Sequence, residues 1–184
     1  MTEPSAPAGL VLAAGAGRRY GQPKAPVVID GERLVDRAVR CLREGGCDPV
    51  LVVLGAWVGD VPDADVVVNE DWAEGMGSSL RAGLQALMER EDAEAAVVTL
   101  VDLPGLTSAA VRRLVDASAD LAVATYSGER GHPVRMSRRH WPEVIHMAQG
   151  DEGARRLLRA HPDVVAIEVG DVAHGYDLDA APAK

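Results

Sequence analysis

Short, almost wholly apolar runs recur along this chain, separated by segments whose apolar residues return every three or four positions. Leu10–Ala14, Val50–Leu54, Ala95–Val101 and Leu121–Thr125 show no polar alternation, so strands there must be covered on both faces. Asp65–Val68, Pro133–Met136 and Val164–Val169 read as further strands. Between them, Leu34, Val35, Ala38, Val39, Cys41 and Leu42 mark one helical face, ended by Gly45-Gly46. Leu80, Leu84, Leu87 and Met88 do the same for a helix over Ser78–Met88, whose N-terminus Ser78 or Ser79 would cap. Ser108–Ala117, Arg138–Met147 and Gly153–Arg159 complete the helices. Apolar strands alternating with helices predict an α/β fold built on a parallel sheet with both faces covered. Residues 1–8, rich in Pro, Ala and Ser, read as a disordered leader, and 9–184 as a single domain.

In such sheets ligands bind beyond the carboxyl ends of the strands. The first strand runs into Gly15, Gly17 and Gly21, with Arg18, Arg19 and Lys24 among them. Glycines expose backbone N–H groups to an anion, and the cations add charge-assisted hydrogen bonds. A phosphate cradle and an ordinary glycine-rich turn with solvated basic residues are the two readings. The pattern is not a P-loop, because Pro23 precedes Lys24 and Ala25 follows it. Nor is it the dinucleotide fingerprint, since Gly17 is followed by Gly21 and the second strand ends in Gly55 without an acidic residue.

Composition narrows the setting. With no phenylalanine and 3% aromatics, Val, Leu and Ala must build the core. A net charge of −9 argues against general nucleic-acid binding and makes the basic loop stand out. No run is apolar enough to span a bilayer, and the start lacks signal-peptide character, so no membrane partner is expected. Cys41 and Cys47 have neither zinc nor disulfide spacing, which fits a reducing cytoplasm.

Other strand-end segments carry chemistry. Asp102, before Leu103-Pro104-Gly105, either caps a turn or holds Mg²⁺ near a phosphate chain. Asp177 and Asp179 lie two apart, so an extended backbone points both to one face as a second carboxylate source. The loop from Asn69 to Arg81 opens a helix whose start suits a polar base edge or simply an N-cap. His132 sits in a constrained Gly131-His132-Pro133 turn and reads as a packed or surface residue rather than a catalyst, while His140, His146, His161 and His174 show no ligand spacing. Gly150–Arg156 reads as a helix start with acidic residues at the positive end of the dipole, and Arg155 in it is a candidate contact to a substrate phosphate.

Taken in order, these segments resemble the MobA-like nucleotidyltransferase family, in its molybdenum-cofactor cytidylyltransferase branch. The resemblance is carried by Leu12–Lys24, by Trp72–Gly83, by Asp102-Leu103-Pro104, by Gly131–Val134 and by Gly150–Arg155, and so covers nearly the whole chain. It implies a Rossmann-like three-layer αβα sandwich with a mostly parallel sheet. It also implies transfer of CMP from CTP, with Mg²⁺, to a phosphorylated pterin such as molybdopterin, releasing pyrophosphate. By the resemblance Leu12, Ala13, Ala14, Gly15, Gly17, Arg18 and Lys24 hold the nucleotide, Ser79 lies near the base, and Asp102 and Asp179 bind metal. Arg18, Lys24 and Asp102 would then be the catalytic residues, and a molybdenum enzyme the partner that receives the product. Ala14 leans towards CTP, because guanylyl-transferring relatives carry glycine there. Ala16, Leu103 and the Asp179-Ala180-Ala181-Pro182 ending depart from the family pattern. Two alternatives remain: an NAD(P)H-dependent oxidoreductase of the nicotine blue oxidoreductase type, and a non-catalytic cofactor carrier.

Overall fold

The computed structural model describes residues 5–151 and 154–179. Its elements run β1 (Ala8–Leu12), β2 (Val28–Ile29), β3 (Glu32–Arg33), α1 (Leu34–Glu44), β4 (Val50–Leu54), β5 (Asp65–Val68) and α2 (Met76–Met88). They continue with β6 (Ala95–Leu100), α3 (Ser108–Val115), β7 (Leu121–Tyr126), β8 (Glu129–Ser137), α4 (Trp141–Met147), α5 (Arg155–Ala160) and β9 (Val165–Glu168). Seven strands form one sheet in the order β5-β4-β1-β6-β8-β7-β9. Only β8 runs against its neighbours β6 and β7; the other pairings are parallel.

The central strands β1 and β4 are buried at every residue, as their unbroken apolar runs require. Leu10 and Leu12 point to a core shared with Leu80, Leu84 and Leu87 of α2 and with Trp141 and Leu157 of α4 and α5. Val11 and Ala13 point to the opposite core, with Val35, Val39 and Leu42 of α1 and Val111 and Leu114 of α3. Successive side chains along β1 thus feed two helical layers, giving the three-layer αβα sandwich. None of the described helices is long and apolar enough to cross a membrane.

Several boundaries differ from the sequence expectation. Pro7 and Ala8 are buried and Ala8 pairs with Ala96, so order begins before the expected end of the leader; residues 1–4 lie outside the described residues. A hairpin, β2–β3, turns on Asp30 and Gly31, both with positive φ. That Asp-Gly turn was a readable hairpin signal. The helix expected over Arg138–Met147 is a 3-10 turn, Arg138–His140, followed by α4. Pro142 has no N–H to give the carbonyl four residues back, so one α-helix cannot run through it. Strand β8 begins at Glu129, well before Pro133, and forms a hairpin with β7 through Ser127 and Gly128, with a register irregularity between Val123 and Thr125. The start of the helix expected from Gly153 lies outside the described residues; α5 begins at Arg155.

Candidate functional site

The parallel strands β1 and β6 lie side by side, and their carboxyl ends open into one cleft. At the end of β1 the chain enters the loop Ala13–Lys24. Gly17 takes φ +60, and a Cβ there would lie 1.9 Å from the Gln22 carbonyl oxygen, so the loop folds on itself only around glycine. Gly21 closes it by donating its N–H to the Gly17 carbonyl at 2.8 Å. The loop faces a cavity of about 400 Å³. Leu12, Ala13, Ala14, Gly15, Gly17, Arg18, Lys24, Ser79 and Asp102 all line it; Arg19 does not.

Asp102 follows the end of β6 by two residues, after Val101. Its carboxylate accepts a hydrogen bond from Lys24 Nζ at 2.8 Å, with the two side chains 22% and 14% exposed. The backbone around it is pinned from two sides. Arg37 on α1 donates to the Pro104 carbonyl at 2.7 Å, and Leu178 donates its N–H to the Asp102 carbonyl at 2.9 Å. The tail from Val172 to Asp179 therefore runs along the Asp102–Thr107 segment, also fixed by His174 N–H to Gly105 and by the Thr107 hydroxyl to Val172.

This crossing brings Asp177 to the cleft. Asp177 lines the second cavity, whereas Asp179 lines neither. Asp177 keeps an exposed face, yet partial desolvation, then the charges of Asp102 and Asp179, push its carboxyl above the usual aspartate range. Ala180, Ala181 and Pro182, which carry the altered ending, lie outside the described residues.

On the opposite wall Gly75 takes φ +114, with Gly150 and Asp151 packed where a Cβ would project. The turn this permits starts α2 at Met76. Ser78 and Ser79 therefore sit inside its first turn and neither caps it. The Ser78 hydroxyl instead lies 2.9 Å from the Gly75 and Asp71 carbonyls. Buried Asn69, which the sequence reading did not single out, donates from one amide nitrogen to Ser78 Oγ and Ser79 Oγ at 2.8 and 3.1 Å. Ser79 Oγ is thus held as an acceptor at the cavity wall, and its own proton faces no partner among the described residues. An Asn directly after an apolar strand was the available signal.

A second cavity, about 510 Å³, adjoins the first and shares Leu12, Met76, Leu100 and Asp151 with it. Its floor is apolar, with Val98, Val123, Val134 and Met136, and its rim carries Arg130, Arg155 and Arg159. His132 lines it too: burial pushes that imidazole down to about 4, against the pull of Asp102 and with the push of Arg155. His132 is therefore neutral at physiological pH and packed, yet it belongs to the cleft. The sequence singled out His132, Arg155 and Asp177 separately but could not bring them to one cavity, because its residues come from β6, β7, β8, α5 and the tail.

The arrangement is a two-chamber cleft: a glycine loop with two cations and Asp102 in the first chamber, a cationic rim over an apolar floor with Asp177 in the second, and Asp151 on the wall they share. Residues 9–165 match the MobA-like NTP transferase domain family. The chain is 37% identical to the nicotine blue oxidoreductase of Paenarthrobacter nicotinovorans, covering 93% of this chain and 91% of that protein. It is 38% identical to a probable molybdenum cofactor guanylyltransferase of Opitutus terrae, over 57% of this chain and 52% of that one. Among solved structures, Rv0371c of Mycobacterium tuberculosis superposes with a TM-score of 0.81 at 29% identity, over 97% of this chain and 95% of that one. A complex of the same mycobacterial protein with manganese superposes with a TM-score of 0.73 at 27% identity, over 90% and 89% of the two chains. Family match, fold and cleft agree: this chain belongs to the MobA-like NTP transferase domain family and is an enzyme of the nucleotidyltransferase class.

Proposed function

We propose that this protein moves CMP from CTP to a phosphorylated acceptor, a pterin of the molybdenum-cofactor type, and releases pyrophosphate. The observation that carries this reading is the wall of the first chamber, where Lys24 and Asp102 pair at 2.8 Å beside the glycine loop. The loop N–H groups, Arg18 and Lys24 suit the triphosphate, and the Ser79 hydroxyl held by Asn69 suits the edge of the base. Ala14 supports the pyrimidine nucleotide, since its methyl takes up room at the wall of the nucleotide chamber. The apolar floor with Arg130, Arg155 and Arg159 suits a flat heterocycle bearing phosphate.

In the reaction an acceptor phosphate oxygen bonds to the α-phosphorus while the bond from that phosphorus to the bridging oxygen breaks. The acceptor is already anionic, so no protein base is needed, and the chain contributes positioning and charge. Lys24 and Arg18 counter the charge that builds on departing pyrophosphate.

The carboxylates Asp102 and Asp177 offer hard oxygen donors on the walls of adjoining chambers. That donor set fits Mg²⁺. Bound there, the ion would supply charge neutralisation for the phosphate oxygens. Asp177 suits this role better than Asp179, which lies off the cavity walls. The two buried free thiols are compatible with a reducing cytoplasm.

A specific observation favours a second reading, the 37% identity to a protein named nicotine blue oxidoreductase, which points to an NAD(P)H-dependent reductase. The missing dinucleotide spacing and the Leu54-Gly55 end of β4 weigh against it. Pyrophosphate release with CTP, GTP or ATP and a pterin phosphate, set beside NADPH oxidation in the same preparation, separates the readings. CTP-dependent release lost in Lys24→Ala and Asp102→Ala supports the transferase.

A further inference from the structure

Away from the cleft, the structure gathers a group whose sequence spacing gave no sign of it. His140 ends the 3-10 turn after β8, Glu143 follows three residues later in the first turn of α4, and His161 is the C-cap of α5. Three residues of helical separation put His140 and Glu143 on one face. His161 reaches them from the neighbouring helix. The histidine rings meet edge to face with centroids 5.2 Å apart, and His161 Nε2 lies 3.3 Å from Glu143 Oε2. One nitrogen from each ring and one carboxylate oxygen all fall within 4.8 Å of one another.

We propose that His140, Glu143 and His161 form a second metal site, distinct from the cleft, for a divalent transition ion of the Zn²⁺ type. Ligand atoms around a tetrahedral ion stand roughly 3.3 Å apart, given metal–ligand bonds of about 2.0–2.2 Å. Closing the widest pair to that spacing takes a movement of under about 1 Å by each atom, within reach of side-chain rotation. Two imidazoles with one carboxylate select Zn²⁺, Ni²⁺ or Cu²⁺ over Mg²⁺, which prefers oxygen donors. The solvent-facing side of the group leaves a coordination position for water.

The surroundings hold the group in place. Buried Trp141, next to His140, donates its indole N–H to the Met136 carbonyl at 3.3 Å. Arg138 packs its guanidinium on that ring and donates to the carbonyls of Met88, Arg90 and Ala93. The turn presenting His140 is therefore anchored to the end of α2. Arg139 donates to His140 Nε2 at 3.3 Å and also pairs with Asp120, so it can yield the imidazole without losing its acidic partner. The His161 N–H bonds the Leu157 carbonyl at 3.0 Å. An ion at this site ties the end of α5 to α4, and α5 contributes Arg155, Leu158 and Arg159 to the second cavity.

The test uses the full chain, tag-free and stripped with chelator, titrated with Co²⁺ in the presence of excess Mg²⁺. The expected result is the intense visible absorption of four-coordinate Co²⁺, saturating at one equivalent and bleached by Zn²⁺. His140→Gln and His161→Gln should each weaken Co²⁺ binding at least tenfold, the loss that even a supporting residue of a metal site causes. Asp102→Asn should leave these bands intact. Zn²⁺ should raise the melting temperature of the wild type and not of His161→Gln, while CTP-dependent turnover of both histidine variants stays near wild type. Absence of the bands at several equivalents of Co²⁺ overturns the proposal, as do equal bands in the wild type and both histidine variants. Circular dichroism of each variant identifies any that fails to fold, and the other histidine variant then decides.

Discussion

Replacing Lys24 by Met keeps most of the side-chain length and removes only the ammonium. In the folded protein that ammonium sits 2.8 Å from Asp102 Oδ2. At an effective dielectric of about 20 their attraction is roughly 6 kcal/mol, most of it offset by the cost of drawing both groups partly out of water. With the side chains 14% and 22% exposed, the pair lies between a surface bridge and a buried one. Lys24→Met should therefore cost about 1–3 kcal/mol, between the limits of about 0–1 for exposed pairs and 3–5 for a charge stranded in the interior. For a chain of this size that is a fall in melting temperature of about 2–4 °C per kcal/mol. The double variant Lys24→Met/Asp102→Asn strands no charge and should melt close to wild type. Its turnover should not recover. Pyrophosphate release should drop by about a hundredfold or more in both, comparable to losing one preorganised contact in the transition state. The reasoning is refuted if Lys24→Met turns over within about threefold of wild type, or if the double variant regains activity together with stability.

Other consequences can be measured on the same footing. Gly17→Ala forces a side chain into a backbone at φ +60, against the Gln22 carbonyl. The φ alone should cost about 1–2 kcal/mol, and CTP affinity by titration calorimetry should fall at least about tenfold as the loop opens. Asp177→Asn should lower pyrophosphate release about tenfold or more, and Asp179→Asn should leave it within a few-fold; the reverse order would assign the second carboxylate to Asp179. Burial pushes both thiols up, Cys47 to about 12 from an ordinary value near 9. The folded state then keeps a proton that the unfolded chain releases. Stability from this source is complete below about pH 9 and is lost as pH rises towards 12. Urea melts at pH 7, 9 and 10.5 should show that decline, and neither thiol should react with a disulfide reagent at pH 8 until the protein unfolds.

Much of this architecture was legible in the sequence because it follows from burial. Strands covered on both faces must be apolar throughout, so β1, β4, β6 and β7 could be found within a residue or two. Strand β8 was found only in part: its first half, Glu129 to His132, is the polar arm of a hairpin, and period-2 burial appears only after Pro133. The strand order was not readable, because an apolar run does not state its neighbours.

For the site, the glycine loop and Asp102 stood out since each lies at the end of a buried strand. The resemblance pointed to Asp179 as the second carboxylate, whereas the bond from the Leu178 N–H to the Asp102 carbonyl sets the tail's course so that Asp177 lines the cleft and Asp179 does not. Asn69, His132 and the arginines of the second cavity act through contacts between elements distant in sequence. His140 and His161 likewise meet only because α4 and α5 pack together.

The central claim is tested most directly by following both products in one experiment. The purified chain, with Mg²⁺, CTP and a pterin phosphate, should release pyrophosphate in step with formation of the cytidylylated acceptor. Neither product should form with NADPH in place of CTP, and Asp102→Ala should abolish both. Tight NADPH binding without Mg²⁺, accompanied by hydride transfer and no pyrophosphate from any nucleotide, would contradict the account.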